Sequence, residues 1–95
     1  MLLEISSKAQ RDIASMHAYG LEQFGQTRAD EYSVKLFDLF ELIQKNPRMA
    51  VEMVNFKRRL RMLRYRRHLV FYRLSVRKIL ILRVLHGTQN WVDKL

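Results

Sequence analysis

Ninety-five residues suffice for one domain and leave no room for a second, and a chain this short buries roughly 60–65% of its unfolded surface. Hydrophobic residues at 48% beside charged residues at 28% describe an ordinary globular protein, and the absence of cysteine excludes disulfides and thiolate metal sites. The net charge of +9 is unevenly spread: residues 1–52 hold six Lys/Arg against eight Asp/Glu, residues 53–95 twelve against one. A half so one-sided repels itself, and an anionic partner lowers its energy. Charge alone leaves nucleic acid, an acidic protein surface and an acidic peptide equally open, with a solvated basic face as the plain alternative. The longest aliphatic run, Ile79-Leu80-Ile81-Leu82, is far short of the ~20 residues that cross a bilayer. Glu4 stands where a signal peptide is positively charged, and no apolar stretch follows it. The expected location is the cytoplasm, with no membrane partner.

Leu2, Leu3 and Ile5 around Glu4 predict a short opening strand. Ser7-x-x-Gln10 has the form of a capping box, and Ala9, Ile13, Met16 and Gly20 follow at the spacing of one helix face. Gly25 is placed to end that helix, and Thr27-x-x-Asp30 to restart the chain in a second one. Ala29, Tyr32, Leu36, Leu39, Phe40 and Ile43 form its apolar stripe, and Asn46-Pro47 stops it, because proline pushes the preceding residue out of the helical region. Two helices linked by two or three residues run antiparallel, as an αα-hairpin. From Leu60 the period changes. Three runs, Leu60 to Tyr65, Leu69 to Leu74 and Ile79 to Leu85, are broken near Arg66-Arg67 and Val76-Arg77, which predicts an antiparallel meander. The expected fold class is therefore α+β, one domain over residues 1–95, with an N-terminal strand and a helix hairpin packed on an antiparallel sheet.

The segment Leu60-Arg61-Met62-Leu63-Arg64-Tyr65-Arg66-Arg67-His68-Leu69-Val70-Phe71-Tyr72-Arg73 resembles the ParE toxin family of the ParE/RelE superfamily. That pattern is a strand arginine, a polar turn, and a histidine shortly before an apolar-aromatic-Tyr triplet. Arg83-Val84-Leu85-His86 looks like the close of the family's last strand. Ser7-x-Ala9-x-x-Asp12-Ile13, Gly25 after an aromatic, Ala29-x-x-Tyr32 and Asn46-Pro47 sit where the family has similar residues. The likeness spans nearly the whole chain. It departs after Asn46-Pro47, where Arg48-Met49-Ala50-Val51 replaces a common glycine, so that residues 49–57 read as loop or short helix; the tail from Gly87 gains little from the likeness.

The resemblance implies the toxin of a type II toxin–antitoxin pair, acting on DNA gyrase and neutralised by a ParD-like antitoxin. The alternative is a RelE-like messenger ribonuclease working on the ribosome. RNA cleavage needs a base for the 2′-hydroxyl, a cation for the phosphorane and an acid for the leaving oxygen. Arg61, His68, Tyr72, Arg83 and His86 are the candidates, with Tyr65 and Arg64 beside them. The ribonuclease members tend to carry a tyrosine or histidine in the C-terminal tail; this tail, after His86, has neither, which favours the non-enzymatic reading. His86 and His68 read more readily as sheet-end and turn residues than as acid and base, and His17 as half-exposed and inert. No histidine pair has metal-ligand spacing, and no metal or cofactor is expected.

Alternation puts Arg61 with Leu63 on one sheet face, and Leu60, Met62 and Arg64 on the other. Arg83 falls in an apolar row with Ile79, Ile81 and Leu85, which requires snorkelling or a buried acceptor. Lys57, Arg58, Arg59, Arg61, Arg64, Arg66 and Arg67 are seven basic residues in eleven, the expected contact surface for target or antitoxin, with a solvated edge as the alternative. Leu21, Phe37 and Leu42 would supply apolar contacts for an antitoxin segment that folds on the toxin, or else belong to the core.

Overall fold

The chain opens on β1 (Leu2–Ile5) and turns at once into α1 (Ser7–Phe24). The computed structural model describes residues 1–54 and 59–95. The cap lies one residue before the expected one, and the helix begins at Ser7 itself. Ser6, not Ser7, is the N-cap, its Oγ accepting from the Ala9 amide at 3.0 Å and donating to the Leu82 carbonyl at 2.8 Å. Gln10 still reaches back, its Nε2 donating to the Ile5 carbonyl at 2.9 Å.

Gly25 alone separates α1 from α2 (Gln26–Lys45), where two or three linking residues and a restart at Thr27 were expected. One residue serves both helices: its N–H donates to the Leu21 carbonyl, and its carbonyl accepts from the Ala29 amide. It does so at φ 87°, ψ 170°, a conformation that side chains essentially exclude. The helices then fold back closely. A Cβ on Gly20 would lie 3.2 Å from that of Ala29, and His17 Nε2 meets Asp30 Oδ1 at 2.7 Å, so this histidine is partnered across the hairpin.

α2 ends before Asn46-Pro47 as its sequence dictates. Within the stretch 49–57, expected as loop or short helix, Val51–Glu52 form a two-residue strand, β2. β3 (Leu60–Tyr65), β4 (His68–Leu74) and β5 (Lys78–His86) form the expected meander. The described strands make one sheet in the order β1-β5-β4-β3-β2, antiparallel except that β1 runs parallel to β5. The tail closes with a single turn of helix, α3 (Trp91–Lys94).

The helices cover one sheet face, packing Ala9, Met16, Leu36, Phe40 and Ile43 against Val70, Tyr72, Ile79, Ile81 and Val84. A smaller cluster lies on the other face, where Leu69, Phe71 and Leu85 are covered by Met53, Met62, Trp91 and Leu95. This explains why Leu69, Val70, Phe71 and Tyr72 are buried in unbroken succession: β4 is central and both its faces are covered. β5 carries a bulge. Tyr72 pairs with Ile81 but Phe71 with Arg83, which leaves Leu82 without an opposite residue. The extra residue reverses the side-chain phase, so the apolar row expected to run from Ile79 through Arg83 to Leu85 is broken: Ile79 and Ile81 face the helices with Val84, and Leu85 faces away.

Candidate functional site

The two-residue turn between β3 and β4 lies beside Tyr32, in the first half of α2. Pairing in the sheet is direct: Tyr65 opposes His68, and His68 opposes His86. Tyr32 ties this end of the sheet to the hairpin. Its hydroxyl lies 2.8 Å from His68 Nδ1, its carbonyl accepts from the Tyr65 hydroxyl at 2.7 Å, and the Arg67 amide donates to its oxygen at 3.4 Å. With the tyrosine oxygen accepting from Arg67, the network assigns the Tyr32 proton to His68 Nδ1, and the neutral ring carries its own proton on Nε2.

The rings stack edge to face: Tyr32 on Tyr65 at 4.9 Å, Tyr32 on His68 at 5.5 Å and His68 on His86 at 5.3 Å between centroids. Burial first, and the neighbouring His86 second, hold the His68 pKa down to about 4. Burial also raises both Tyr32 and Tyr65. None of the three is an effective base near neutral pH with these shifts. His86 is tethered locally, Nδ1 lying 2.7 Å from Thr88 Oγ1 and its amide donating to Gln89 Oε1 at 2.7 Å.

Arg66 sits in the turn at φ 52°, a left-handed conformation unusual for an arginine, with its guanidinium 5.5 Å from the Tyr32 centroid and 5.8 Å from that of Tyr65. A cleft of about 460 Å³ opens here between the tip of the hairpin and the turn. Met16, Gly20 and Ala29 form its floor, Tyr19 and Phe24 its apolar rim, and Arg28, Arg66 and Arg67 its charged rim.

The five groups that RNA cleavage would have used do not converge. His68 and His86 are together at the cleft. Arg61 and Tyr72 oppose each other further along β3 and β4, where Arg61 Nη1 donates to the Ala50 carbonyl at 2.6 Å and the buried Tyr72 hydroxyl to that of Pro47 at 2.8 Å. Arg83 is committed elsewhere. Its Nε and Nη2 grip Asp12 of α1 at 2.7 and 2.9 Å, and its Nη1 donates to the Lys94 carbonyl at 3.0 Å. Of the two readings open for Arg83, snorkelling or a held guanidinium, the structure shows the second, and the acceptor is Asp12.

Lys57 and Arg58 lie outside the described residues. The five other basic residues of the expected contact cluster divide along β3. Arg59 and Arg61 line a second cavity with Arg48 and Glu52, Arg64 donates to the Arg66 carbonyl from the opposite face, and Arg66 and Arg67 reach the aromatic cleft. Leu21, Phe37 and Leu42 are not core: they are 41%, 44% and 45% exposed. Sequence reasoning assigned Tyr32 to the buried stripe and gave Asp12 no partner. The motif Ala29-x-x-Tyr32 was the available signal for the first; nothing local could pair Asp12 with a residue 71 positions away.

Comparison with known proteins agrees with this architecture. Residues 3–91 match the family described as ParE toxin of type II toxin-antitoxin system, parDE. Toxin ParE1 of Caulobacter vibrioides is 31% identical over 86 residues, which cover 90% of this chain and 88% of that protein. A solved structure described as the chromosomal ParDE TA system from P. aeruginosa superposes with a TM-score of 0.79 at 18% identity, over 90% of this chain and 95% of its own, and so shares the fold. With strand, hairpin, meander and nearly every residue of the chain accounted for by one family, the protein belongs to the ParE toxins of type II toxin–antitoxin systems.

Proposed function

We propose that this toxin inhibits DNA gyrase by binding, without chemistry of its own, and that a ParD-like antitoxin neutralises it in the cytoplasm. The observation that carries the non-enzymatic part is the dispersal of the candidate acid, base and cation groups: the histidine pair, the Arg61–Tyr72 pair and the Arg83–Asp12 pair each serve a separate structural contact. Antitoxin binding is supported by the exposed Leu21, Phe37 and Leu42 on the hairpin, apolar area that a segment folding on the toxin would cover. A basic chain and an acidic antitoxin segment would also attract one another.

Purified toxin added to gyrase should block supercoiling of a relaxed plasmid, and a ribbon-helix-helix protein encoded beside it should restore the activity. Full supercoiling at large toxin excess refutes the gyrase reading. Cuts within translated codons after induction would replace it with RNA cleavage on the ribosome.

A further inference from the structure

Arg66 occupies a position where glycine or asparagine would be less strained. A left-handed conformation is unfavourable for an L-residue, and the hairpin turn retains it. What the arginine does there is visible: its guanidinium lies over two tyrosine rings at the mouth of the cleft. Across the opening, Tyr19 and Phe24 are 60% and 52% exposed although large and apolar. Arg28 and Arg67 complete a cationic rim around an apolar floor, in which the three arginines outnumber the single carboxylate, Glu31, itself paired with Lys35 at 2.8 Å. An aromatic pocket walled by guanidiniums suits a side chain that buries an apolar ring while its neighbours present carboxylates.

We infer that this cleft is a docking site for an acidic protein segment carrying an aromatic or aliphatic anchor. The anchor enters between Phe24 and Tyr32, and flanking carboxylates pair with Arg66, Arg67 and Arg28. The floor favours a peptide over a nucleic acid, since Met16, Gly20 and Ala29 offer an apolar socket and no hydrogen-bond donor for a base edge or a phosphate. The inference deepens the proposed function, because a toxin that acts by binding needs such a surface for its protein target, apart from the outer helix surface assigned above to the antitoxin.

The test uses the intact protein and a fluorescein-labelled peptide in which Asp and Glu flank one Phe. The matched peptide with Asn and Gln, and a ten-residue oligothymidine, serve as the other arms. Binding of the acidic peptide should shift the His68 and His86 ring resonances and weaken about tenfold in the Gln/Asn peptide. Arg66→Ser and Phe24→Ser should each lose about fivefold or more in affinity, while Arg73→Ser, an exposed arginine outside the cleft, should not. Equal binding of the two peptides, shifts confined to other residues, no binding, or tighter binding of oligothymidine overturns the proposal. Circular dichroism of each variant checks that it folds. The peptide measurement needs no gyrase, so a failed supercoiling assay beside a positive peptide result would reject the target and keep the site.

Discussion

Replacing Asp12 by alanine should be among the most damaging single changes in this protein. The carboxylate accepts from Arg83 Nε at 2.7 Å, from Arg83 Nη2 at 2.9 Å and from the Val84 amide at 3.0 Å. The amide is available because β1 ends at Ile5, opposite Ile81, so β5 runs on beyond its parallel neighbour and Asp12 takes over as edge partner. Side-chain exposure is only 18% for Arg83 and 14% for Asp12. Removing one member of a buried pair costs about 3–5 kcal/mol, and the residual access of water argues for the lower end, about 3 kcal/mol. In a domain of this size that lowers Tm by roughly 12–24 °C. Urea unfolding followed by circular dichroism gives the free energy, and an unchanged slope would show that the native state, not the compactness of the unfolded chain, was affected. Asp12→Asn keeps an acceptor for Val84 and should cost about half as much. Asp12→Ala combined with Arg83→Met should cost less than the two changes added, by about 1–3 kcal/mol, because the second removes the cation that the first leaves buried. A loss under about 1 kcal/mol for Asp12→Ala, or strict additivity of the pair, refutes the reasoning.

Gly25→Ala should destabilise by about 1–3 kcal/mol through backbone strain alone, since nothing lies within 4 Å of the added methyl; a thermal melt unchanged from the parent would contradict it. Tyr72→Phe should cost about 1–2 kcal/mol, because the Pro47 carbonyl loses its donor while the ring still fills its site; equilibrium unfolding measures it. His68 stays neutral in the folded protein down to about pH 4 but takes up its proton near 6.5 when unfolded. The unfolded state therefore binds more protons, and His68 lowers stability as pH falls from about 6.5 toward 4. The Tm of His68→Asn should consequently fall less than that of the parent between pH 7 and 4.5, and the His68 ring resonances should not titrate above pH 5.

The fold was legible wherever a local rule decided it. Period and proline fixed α2, and apolar run length fixed β3, β4 and β5 even though glycine is missing from their turns. Legibility failed where one residue did the work of several. A serine could cap from position 6 as well as 7, and the better choice depended on the Leu82 carbonyl, far along the chain. A single glycine replaced a loop because its own conformation could close both helices. β2 was invisible: two residues carry no period, and their pairing with Arg61 and Met62 is tertiary. The same limit governed the site. His68 and His86 were visible as motif members, and Arg66 as part of a charge run, but their meeting with Tyr32 depends on strand register.

One inserted residue sets much of this. In regular alternation from Ile79 and Ile81, position 83 would face the helices and position 84 would face away. The unpaired Leu82 reverses that order, so Val84 enters the main core, Arg83 comes round to Asp12 at the sheet edge, and His86, two residues beyond Val84, falls on the same face beside His68. Cleft and ion pair are therefore linked through a bulge that touches neither histidine. Deleting Leu82 places Arg83 directly after Ile81, opposite Phe71 and Tyr72 as they already stand, so alternation becomes regular while residues 83–86 keep their present faces. The proton–proton contacts between the His68 and His86 rings should therefore survive, and the turn near Val76 should stay where it is. A deletion variant in which the histidine contacts are lost would show that the phase argument fails, and that the bulge itself holds the end of β5 in place.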